Sequence, residues 1–177
     1  GFFRLDCAHL RHQTPDGTMS APMIRLNVER GDGAAVLLLN IQSNCLAMTR
    51  QFRYANWLRD DGGWVTEIPA GMVGPGQSPE HVAHTEVIEE VGYKPVRLQY
   101  MMKFYASPGT TTERVHLYYA EVTDDNRVGA GGEIESEQEY IKVIHLPVST
   151  ALKMVDQGAW LDAKTLVAIH QLLLRQR

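Results

Sequence analysis

Residues 71–93 read GMVGPGQSPEHVAHTEVIEEVGY, and the second half of this stretch has the pattern of a capped helix. Ser78 is a favoured N-cap residue, and Pro79 suits the first helical position, where a backbone N–H would have no helical partner. Apolar residues then recur near helical spacing until Gly92, a residue type that commonly ends helices. We therefore predict a helix between Ser78 and Gly92.

Three carboxylates are crowded onto one side of this predicted helix. Glu86 and Glu90 are one turn apart, and Glu89 lies beside them on the same side. Like charges at this spacing destabilise a helix by about 0.2–0.5 kcal/mol per pair, and no Lys or Arg lies between Ser78 and Tyr93 to offset them. A divalent cation would remove the repulsion, because Mg²⁺ prefers oxygen ligands. The alternative interpretation is a solvated acidic helix face.

Residues 69–76, PAGMVGPG, are predicted to form a loop between a strand and this helix. Such a loop can direct a backbone carbonyl group toward a metal held by the helix, and its glycines let a phosphate come close to the backbone. The loop and the acidic helix together predict a site for a metal and a phosphate.

The rest of the chain alternates between predicted strands and helices. Pro15-Asp16-Gly17 is a turn signal that predicts a hairpin of residues 3–12 and 22–29. The Gly- and Glu-rich residues 126–138 are predicted to form a loop. Further strands are predicted at residues 34–39, 45–53, 64–68, 97–106, 114–122 and 140–146, and further helices at 149–156 and 162–176. This order indicates an α+β or α/β sandwich.

The composition excludes several classes of protein. A length of 177 residues with 44% hydrophobic residues predicts a single domain over residues 1–177. The net charge of −4 argues against the basic surface that proteins use to bind duplex nucleic acid. No apolar run approaches the roughly 20 residues of a membrane span, and Cys7 and Cys45 do not make a disulfide framework. We expect a cytoplasmic protein without a nucleic acid or membrane partner.

Residues 71–93 resemble the Nudix box, whose pattern is G-x5-E-x7-R-E-U-x-E-E-x-G-U, where U is an aliphatic or similar residue. Two positions depart from it, because Gln77 replaces the first glutamate and Thr85 replaces the arginine. If those two family residues pair with each other, losing both leaves no unpaired charge. The positions in register are Gly71, Glu86, Val87, Glu89, Glu90, Gly92 and Tyr93.

The flanking segments resemble the ADP-ribose and nucleoside-diphosphate-sugar pyrophosphatase branch of that family. The matching segments are residues 51–54, 67–71, 107–113 and 131–141. The resemblance covers about residues 33–175, and it is closest to GDP-mannose and UDP-sugar members over residues 129–146. It implies an α+β fold, a Nudix-type α/β/α sandwich with a mixed central sheet and an N-terminal β-hairpin extension.

The resemblance implies a hydrolase that uses Mg²⁺, with Mn²⁺ as an alternative ion, to split the pyrophosphate of a nucleoside-diphosphate sugar into a nucleoside monophosphate and a sugar phosphate. By the same resemblance Glu139 is the general base, with Glu137 as the second choice and Glu89 assisting. The implied metal ligands are the Ala70 carbonyl, Glu86, Glu89 and Glu90, and the implied substrate-binding residues are Arg53, Glu67, Ser107, Gly109 and Glu113. Each of Glu139, Arg53 and Glu113 has a structural alternative as an ordinary surface or packing residue.

Two other functions stay open at this point. Gln77 and Thr85 motivate a catalytically weak Nudix-fold sensor of nucleotide sugars, although such a sensor has no need for three clustered carboxylates. A housecleaning pyrophosphatase for damaged nucleoside triphosphates is the other candidate. The base and the sugar of the substrate are not specified. Residues 1–30 are predicted to form a β extension through which two copies of the chain form a homodimer.

Overall fold

The computed structural model describes residues 3–59, 62–132 and 140–175. Its strands are β1 Arg4–Leu10, β2 Met23–Glu29, β3 Gly33–Asn40, β4 Cys45–Phe52, β5 Trp64–Glu67, β6 Ala70–Met72, β7 Gln99–Tyr105, β8 Arg114–Val122 and β9 Lys142–Pro147. Its helices are α1 Tyr54–Trp57, α2 Pro79–Val91, α3 Val148–Asp156 and α4 Ala163–Arg175, with a 3-10 turn at Asp124–Asn126.

Seven strands form one mixed sheet. The order along it is β5-β4-β3-β8-β7, with β6 paired to β3 and β9 paired to β4. The β3 and β8 strands are parallel, and the other pairs are antiparallel. The mixed sheet and the antiparallel β1–β2 hairpin confirm the predicted fold class.

Helices cover both faces of this sheet, because its central strands bury side chains on both sides. In β3, Ala35 and Leu37 pack into a core with α3 and α4, whereas Val36 and Leu38 pack into a second core with α2. Strand side chains alternate between faces, so one apolar run supplies both cores. The result is a three-layer α/β/α sandwich.

The N-terminal hairpin contributes no residue to either core. It is attached beside the β7–β8 turn, where the Val28 N–H donates to the Thr110 carbonyl at 2.8 Å and the Thr112 N–H donates to the Val28 carbonyl at 3.2 Å. None of the described helices is both long and apolar enough to cross a membrane.

Two elements correct the sequence prediction. Part of the predicted loop 69–76 is strand β6, which pairs with residues 33–35 of β3. The short helix α1 directly follows β4 and was not predicted. Three and four residues are too few to show hydrophobic periodicity, so only pairing and packing with distant residues define these elements. The other predicted strands and helices are confirmed, and their ends differ from the predicted ones by at most two residues.

Candidate active site

An open pocket of about 1280 Å³ brings together most of the predicted site residues. It lies where the N-terminal hairpin, the segment before α2, α2 itself and the start of α4 meet. The predicted residues that line it are Arg53, Glu67, Ala70, Glu86, Glu89, Glu90 and Glu113.

Two predicted residues, Ser107 and Gly109, lie outside this pocket. Ser107 and Gly109 are exposed in the turn before β8 and are not among the residues that line the pocket, where Phe104 and Ala106 lie instead. The Ser107 carbonyl accepts hydrogen bonds from Thr110 and Thr111, so it belongs to the turn itself. Glu137 and Glu139 lie outside the described residues, as do residues 133–138 of the predicted loop.

Helix α2 positions its three glutamates at different depths. The Ser78 hydroxyl accepts from the His81 N–H at 3.2 Å, and Gly92 ends the helix in the left-handed region at φ 76°. Glu89 is exposed and Glu86 is partly exposed. Glu90 is only 4% exposed. The three carboxylates share a pocket, but they differ strongly in their access to water.

Glu90 is the most strongly perturbed carboxylate in this pocket. Its Oε2 accepts a hydrogen bond from the Ala70 N–H at 3.0 Å. Burial, and then the nearby Glu86 carboxylate, raise the pKa of Glu90 to about 8, although the Ala70 N–H and the Arg53 charge act in the opposite direction. A buried carboxyl of this kind is charged at neutral pH only when a cation compensates it.

Gly71 is required by the position of Glu86. A Cβ atom at residue 71 would overlap the Glu86 carboxylate, so any side chain there would displace this glutamate. The β6 pairing of Gly71 with Ala34 fixes the backbone on one side, and α2 fixes Glu86 on the other. The glycine of the motif therefore serves the close approach of strand and carboxylate.

The donor set in this pocket suits a hard divalent cation. Among the side chains that the structure describes, no group of three His, Cys, Asp or Glu residues is already arranged to hold a metal ion. However, the adjacent Glu86 and Glu90 carboxylates and the raised pKa of Glu90 are what a cation would relieve. The Ala70 N–H contacts Glu90 and Ala70 also lines the pocket, so the backbone of this residue borders the buried acid.

A second buried acid, Glu67, fixes the orientation of Arg53 in the pocket. Glu67 is 2% exposed, and its carboxylate accepts from Arg53 through Nε at 2.6 Å and Nη2 at 3.2 Å. The Lys164 ammonium also contacts it. Burial alone would raise the pKa of Glu67, but Arg53 and Lys164 outweigh burial and hold this pKa below its ordinary value. Glu67 therefore orients Arg53, in addition to lining the pocket.

The sequence interpretation missed the start of α4, where Lys164 lines the pocket. Asp162 caps this helix, because its carboxylate accepts from the Thr165 N–H at 2.9 Å, and it also binds the Lys164 Nζ at 3.0 Å. The Thr165 hydroxyl accepts from the Ile68 N–H at 3.0 Å, which ties α4 to the segment after β5. A lysine in the first turn of a helix is unfavourable, because its charge opposes the helix dipole. This unusual position is the one sequence feature that could have pointed to Lys164 as a site residue.

The hairpin supplies a further missed residue, Arg30. It lines the pocket, pairs with Glu113 at 3.5 Å and lies over the Phe3 ring at 5.4 Å. The sequence shows Arg30 only as a charge after a predicted strand. Its place in the pocket depends on how the hairpin attaches to the β7–β8 turn.

Gln77 has a local role in this site. Its side-chain oxygen accepts a hydrogen bond from the Gly74 N–H at 2.8 Å. Gly74 lines the pocket, so Gln77 stabilises the segment before α2 without carrying a charge.

The NUDIX domain model matches residues 29–160. This chain belongs to the NUDIX family. Among its relatives, the GDP-mannose pyrophosphatase of Cronobacter sakazakii (strain ATCC BAA-894) is 40% identical over 148 residues, which cover 83% of this chain and 76% of the relative. The GDP-mannose pyrophosphatase of Escherichia coli O139:H28 (strain E24377A / ETEC) is 37% identical over 145 residues, 81% and 74% of the two chains.

A solved structure supports the same fold at lower sequence identity. The crystal structure of an ADP compounds hydrolase superposes with a TM-score of 0.68 and 15% identity, and it covers 97% of this chain and 85% of that chain. The predicted Nudix membership and the predicted α/β/α fold are confirmed. As a NUDIX protein with pyrophosphatase relatives, the chain is a hydrolase.

Proposed function

We propose that this NUDIX protein cleaves the pyrophosphate bond of a nucleoside-diphosphate sugar, with GDP-mannose as the first substrate to test. The products would be a nucleoside monophosphate and a sugar phosphate. The observation that carries this proposal is the buried Glu90 carboxylate beside Glu86, in the same pocket as Arg53 and Lys164. Carboxylates that could hold a cation and cationic side chains that could bind a phosphate therefore share one cavity, which is large enough for a nucleotide sugar. The GDP-mannose pyrophosphatase relatives support this choice of substrate.

Glu86, Glu89, Glu90 and the Ala70 carbonyl would hold the divalent cation, Mg²⁺ or alternatively Mn²⁺. When bound, the ion would neutralise the pyrophosphate and lower the pKa of a water molecule. Glu90 needs no large movement for this role, because α2 and the Ala70 N–H already fix its carboxylate. Glu89 is exposed and lines the same pocket, so its carboxylate can approach a cation that is bound there.

Arg53 and Lys164 would bind the phosphate oxygens. A guanidinium offers several donors in one plane and binds phosphate well when its orientation is fixed. Glu67 supplies that orientation through its two hydrogen bonds to Arg53. Glu113 and Arg30 border the pocket at the hairpin, where the rest of the substrate would lie.

A general base is still required to take the proton of the attacking water. We propose Glu139 for this role, with Glu137 as the second choice, on the family resemblance alone. The variants Glu139→Gln and Glu137→Gln test the choice directly, because loss of the general base removes the acidic limb of the pH–rate profile, where its carboxylate becomes protonated.

We also propose that the protein is a homodimer and cytoplasmic, a location that its two free cysteines fit. The hairpin has an apolar face, formed by the opposed pairs Leu5–Val28, Cys7–Leu26 and His9–Ile24. Leu5 is 69% exposed and Leu26 is 60% exposed. An exposed apolar face on a two-stranded sheet needs a partner, because such a hairpin is marginally stable alone. A second copy of this chain offers the same face.

A substrate panel tests the proposed function. Phosphate release, coupled to a phosphatase, is measured from GDP-mannose, ADP-ribose, UDP-glucose and 8-oxo-dGTP with and without Mg²⁺. We expect metal-dependent cleavage of GDP-mannose that is lost in Glu90→Gln. Preferential cleavage of 8-oxo-dGTP would favour the housecleaning function. Tight binding of a nucleotide sugar without cleavage would favour the sensor.

A further inference from the structure

The pocket crosses the sheet, and its two sides carry different chemical groups. In the strand order β5-β4-β3-β8-β7, β3 is central, and β6 pairs with it. The buried Glu90 binds the Ala70 N–H of β6, so the acids lie between a side formed by β5 and β4 and a side formed by β8 and β7. A pyrophosphate held beside these acids leaves one half of the substrate to each side of the pocket.

The side toward β7 carries aromatic rings. Phe104 of β7 and Phe3, which precedes the hairpin, line it, and the Arg30 guanidinium lies over the Phe3 ring at 5.4 Å. Among the described residues that line the pocket, these two phenylalanines are the only aromatic ones. A planar nucleobase gains from stacking on rings, so this side suits the nucleoside half of the substrate.

The side toward β5 carries a buried amide, Gln51. This residue is 6% exposed, and it lines the pocket directly opposite Val65 of β5. No residue that the structure describes forms a hydrogen bond with its side chain. In the described part of the chain no fully buried side-chain nitrogen or oxygen lacks a partner, so the Gln51 amide must be open to the pocket. A buried amide without a protein partner is unusual, and a ligand in the pocket would satisfy it.

A second amide, Asn56, lines the same side of the pocket. It lies in α1, and its backbone N–H donates to the Arg53 carbonyl at 3.0 Å. Its side chain is partly exposed, and it also forms no hydrogen bond with the described residues. Each of the two amides offers an oxygen acceptor and a nitrogen donor, and neither carries a charge.

Neutral donors and acceptors match hydroxyl groups better than they match a phosphate. A hydroxyl both donates and accepts, so it can pair with the oxygen and with the nitrogen of an amide. The charge for the phosphate comes from Arg53, which strand alternation places on the same face as Gln51. Neutral and cationic groups are therefore adjacent on this side of the pocket, as the sugar and the phosphate are in the substrate.

We propose that Gln51 and Asn56, called here the amide pair, bind hydroxyl groups of the substrate's sugar ring. The inference rests on the proposed function, and it names residues that distinguish a sugar from other groups on the second phosphate. The hairpin side then receives the nucleoside half of the substrate, where Phe3 and Phe104 offer rings for its base.

The test removes the sugar from the substrate as well as the amide from the protein. It compares kcat/KM for GDP-mannose with kcat/KM for GDP that carries a methyl ester on its β-phosphate, which keeps the charge and the pyrophosphate bond. In Gln51→Met, which keeps the size of the side chain, we expect a fall of about tenfold with GDP-mannose and of less than about twofold with the methyl ester. Gln157→Met is the matched control, because Gln157 is exposed at the end of α3 and does not line the pocket, and it should change neither value.

An equal fall with both substrates would overturn the proposal, because the amide would then act on the part that the two substrates share. An unchanged kcat/KM for GDP-mannose in folded Gln51→Met would overturn it as well. If this buried substitution prevents folding, Asn56→Ala takes its place, because Asn56 is partly exposed. We expect a fall of about three- to tenfold there with GDP-mannose alone, and the same two outcomes would count against the amide pair.

A binding measurement separates this proposal from the proposed function. If the wild type cleaves neither compound, the proposed function fails, and isothermal titration calorimetry with Mg²⁺ then tests the amide pair. Tighter binding of GDP-mannose than of the methyl ester, with the difference lost in the amide variant, would support the sugar site. Equal binding of the two compounds by the wild type, or no binding of GDP-mannose, would overturn it.

Discussion

Helix α2 buries a carboxylate, whereas the N-terminal hairpin exposes leucines. Glu90 is 4% exposed, and Leu5 and Leu26 are 69% and 60% exposed. Each region reverses the ordinary distribution, in which charged groups face water and large apolar groups are buried. Neither reversal is explained by contacts among the described residues of one chain.

The two reversals indicate two different partners. A buried acid with a raised pKa in a pocket is the pattern of a functional site, because a ligand can compensate the desolvated charge. An exposed apolar face outside both cores is the pattern of an assembly surface. Substitutions that restore the ordinary distribution should therefore abolish catalysis in α2 and assembly in the hairpin.

The largest effect is expected from removing the buried charge. Glu90→Gln keeps the size of the side chain but removes its charge, so kcat with GDP-mannose should fall by at least about 100-fold, whereas the exposed Glu89→Gln should lower it about tenfold. Steady-state kinetics at saturating Mg²⁺ measure both. A Glu90→Gln enzyme as active as Glu89→Gln would show that burial does not mark the principal ligand.

Assembly should respond to a charge on the apolar face. Leu26→Arg places a guanidinium where the hairpin face would be covered by a second copy, so the dimer dissociation constant should rise by about 100-fold or more. Arg25→Glu is the matched control, since Arg25 pairs with Ala8 on the opposite face. Light scattering at micromolar concentration measures the mass. A monomeric wild type would remove the homodimer proposal.

Stability should depend on pH in the metal-free protein. The pKa of Glu90 is about 8 in the folded protein and 4.5 ordinarily, so the folded state binds the proton more tightly than the unfolded chain between these values. The free energy of unfolding should therefore fall as the pH rises from about 4.5 to about 8. In EDTA we expect Tm to drop by roughly 5–10 °C from pH 5 to pH 9, and by less in Glu90→Gln or with Mg²⁺. An equal drop in all three would show that Glu90 is not its source.

The smallest effect is expected at Gln77, which is exposed. Gln77→Ala removes the acceptor of the Gly74 N–H, a hydrogen bond worth about 1 kcal/mol, and should lower kcat/KM by about two- to fivefold. Gln77→Glu keeps an acceptor and should stay within about twofold of the wild type. If both variants behave alike, the contact with Gly74 does not support the site.

The features of this molecule that the sequence predicts are the local ones. The helix, its caps and its three glutamates are local, so spacing and residue type are enough to find them. The continuous apolar run of residues 34–39 likewise predicts a buried strand. The different depths of Glu89 and Glu90 were not predictable, because they depend on Ala70 and Gly71 pairing with β3.

Other site residues depend on contacts between distant parts of the chain. Lys164 reaches the pocket only because Thr165 holds Ile68, which is 97 positions away. Arg30 reaches it only because the hairpin binds the β7–β8 turn. Glu67 was predicted to bind substrate, and its pairing with Arg53 and Lys164 follows from folding and not from spacing.

The most direct test of the central claim is a phosphorus-31 NMR spectrum of GDP-mannose incubated with the wild-type protein and Mg²⁺. Cleavage of the pyrophosphate by this acidic pocket predicts that the two coupled resonances disappear and are replaced by those of GMP and mannose 1-phosphate, and that EDTA prevents the change. Coupled resonances that persist with folded protein and saturating Mg²⁺ would contradict the proposed hydrolysis of GDP-mannose.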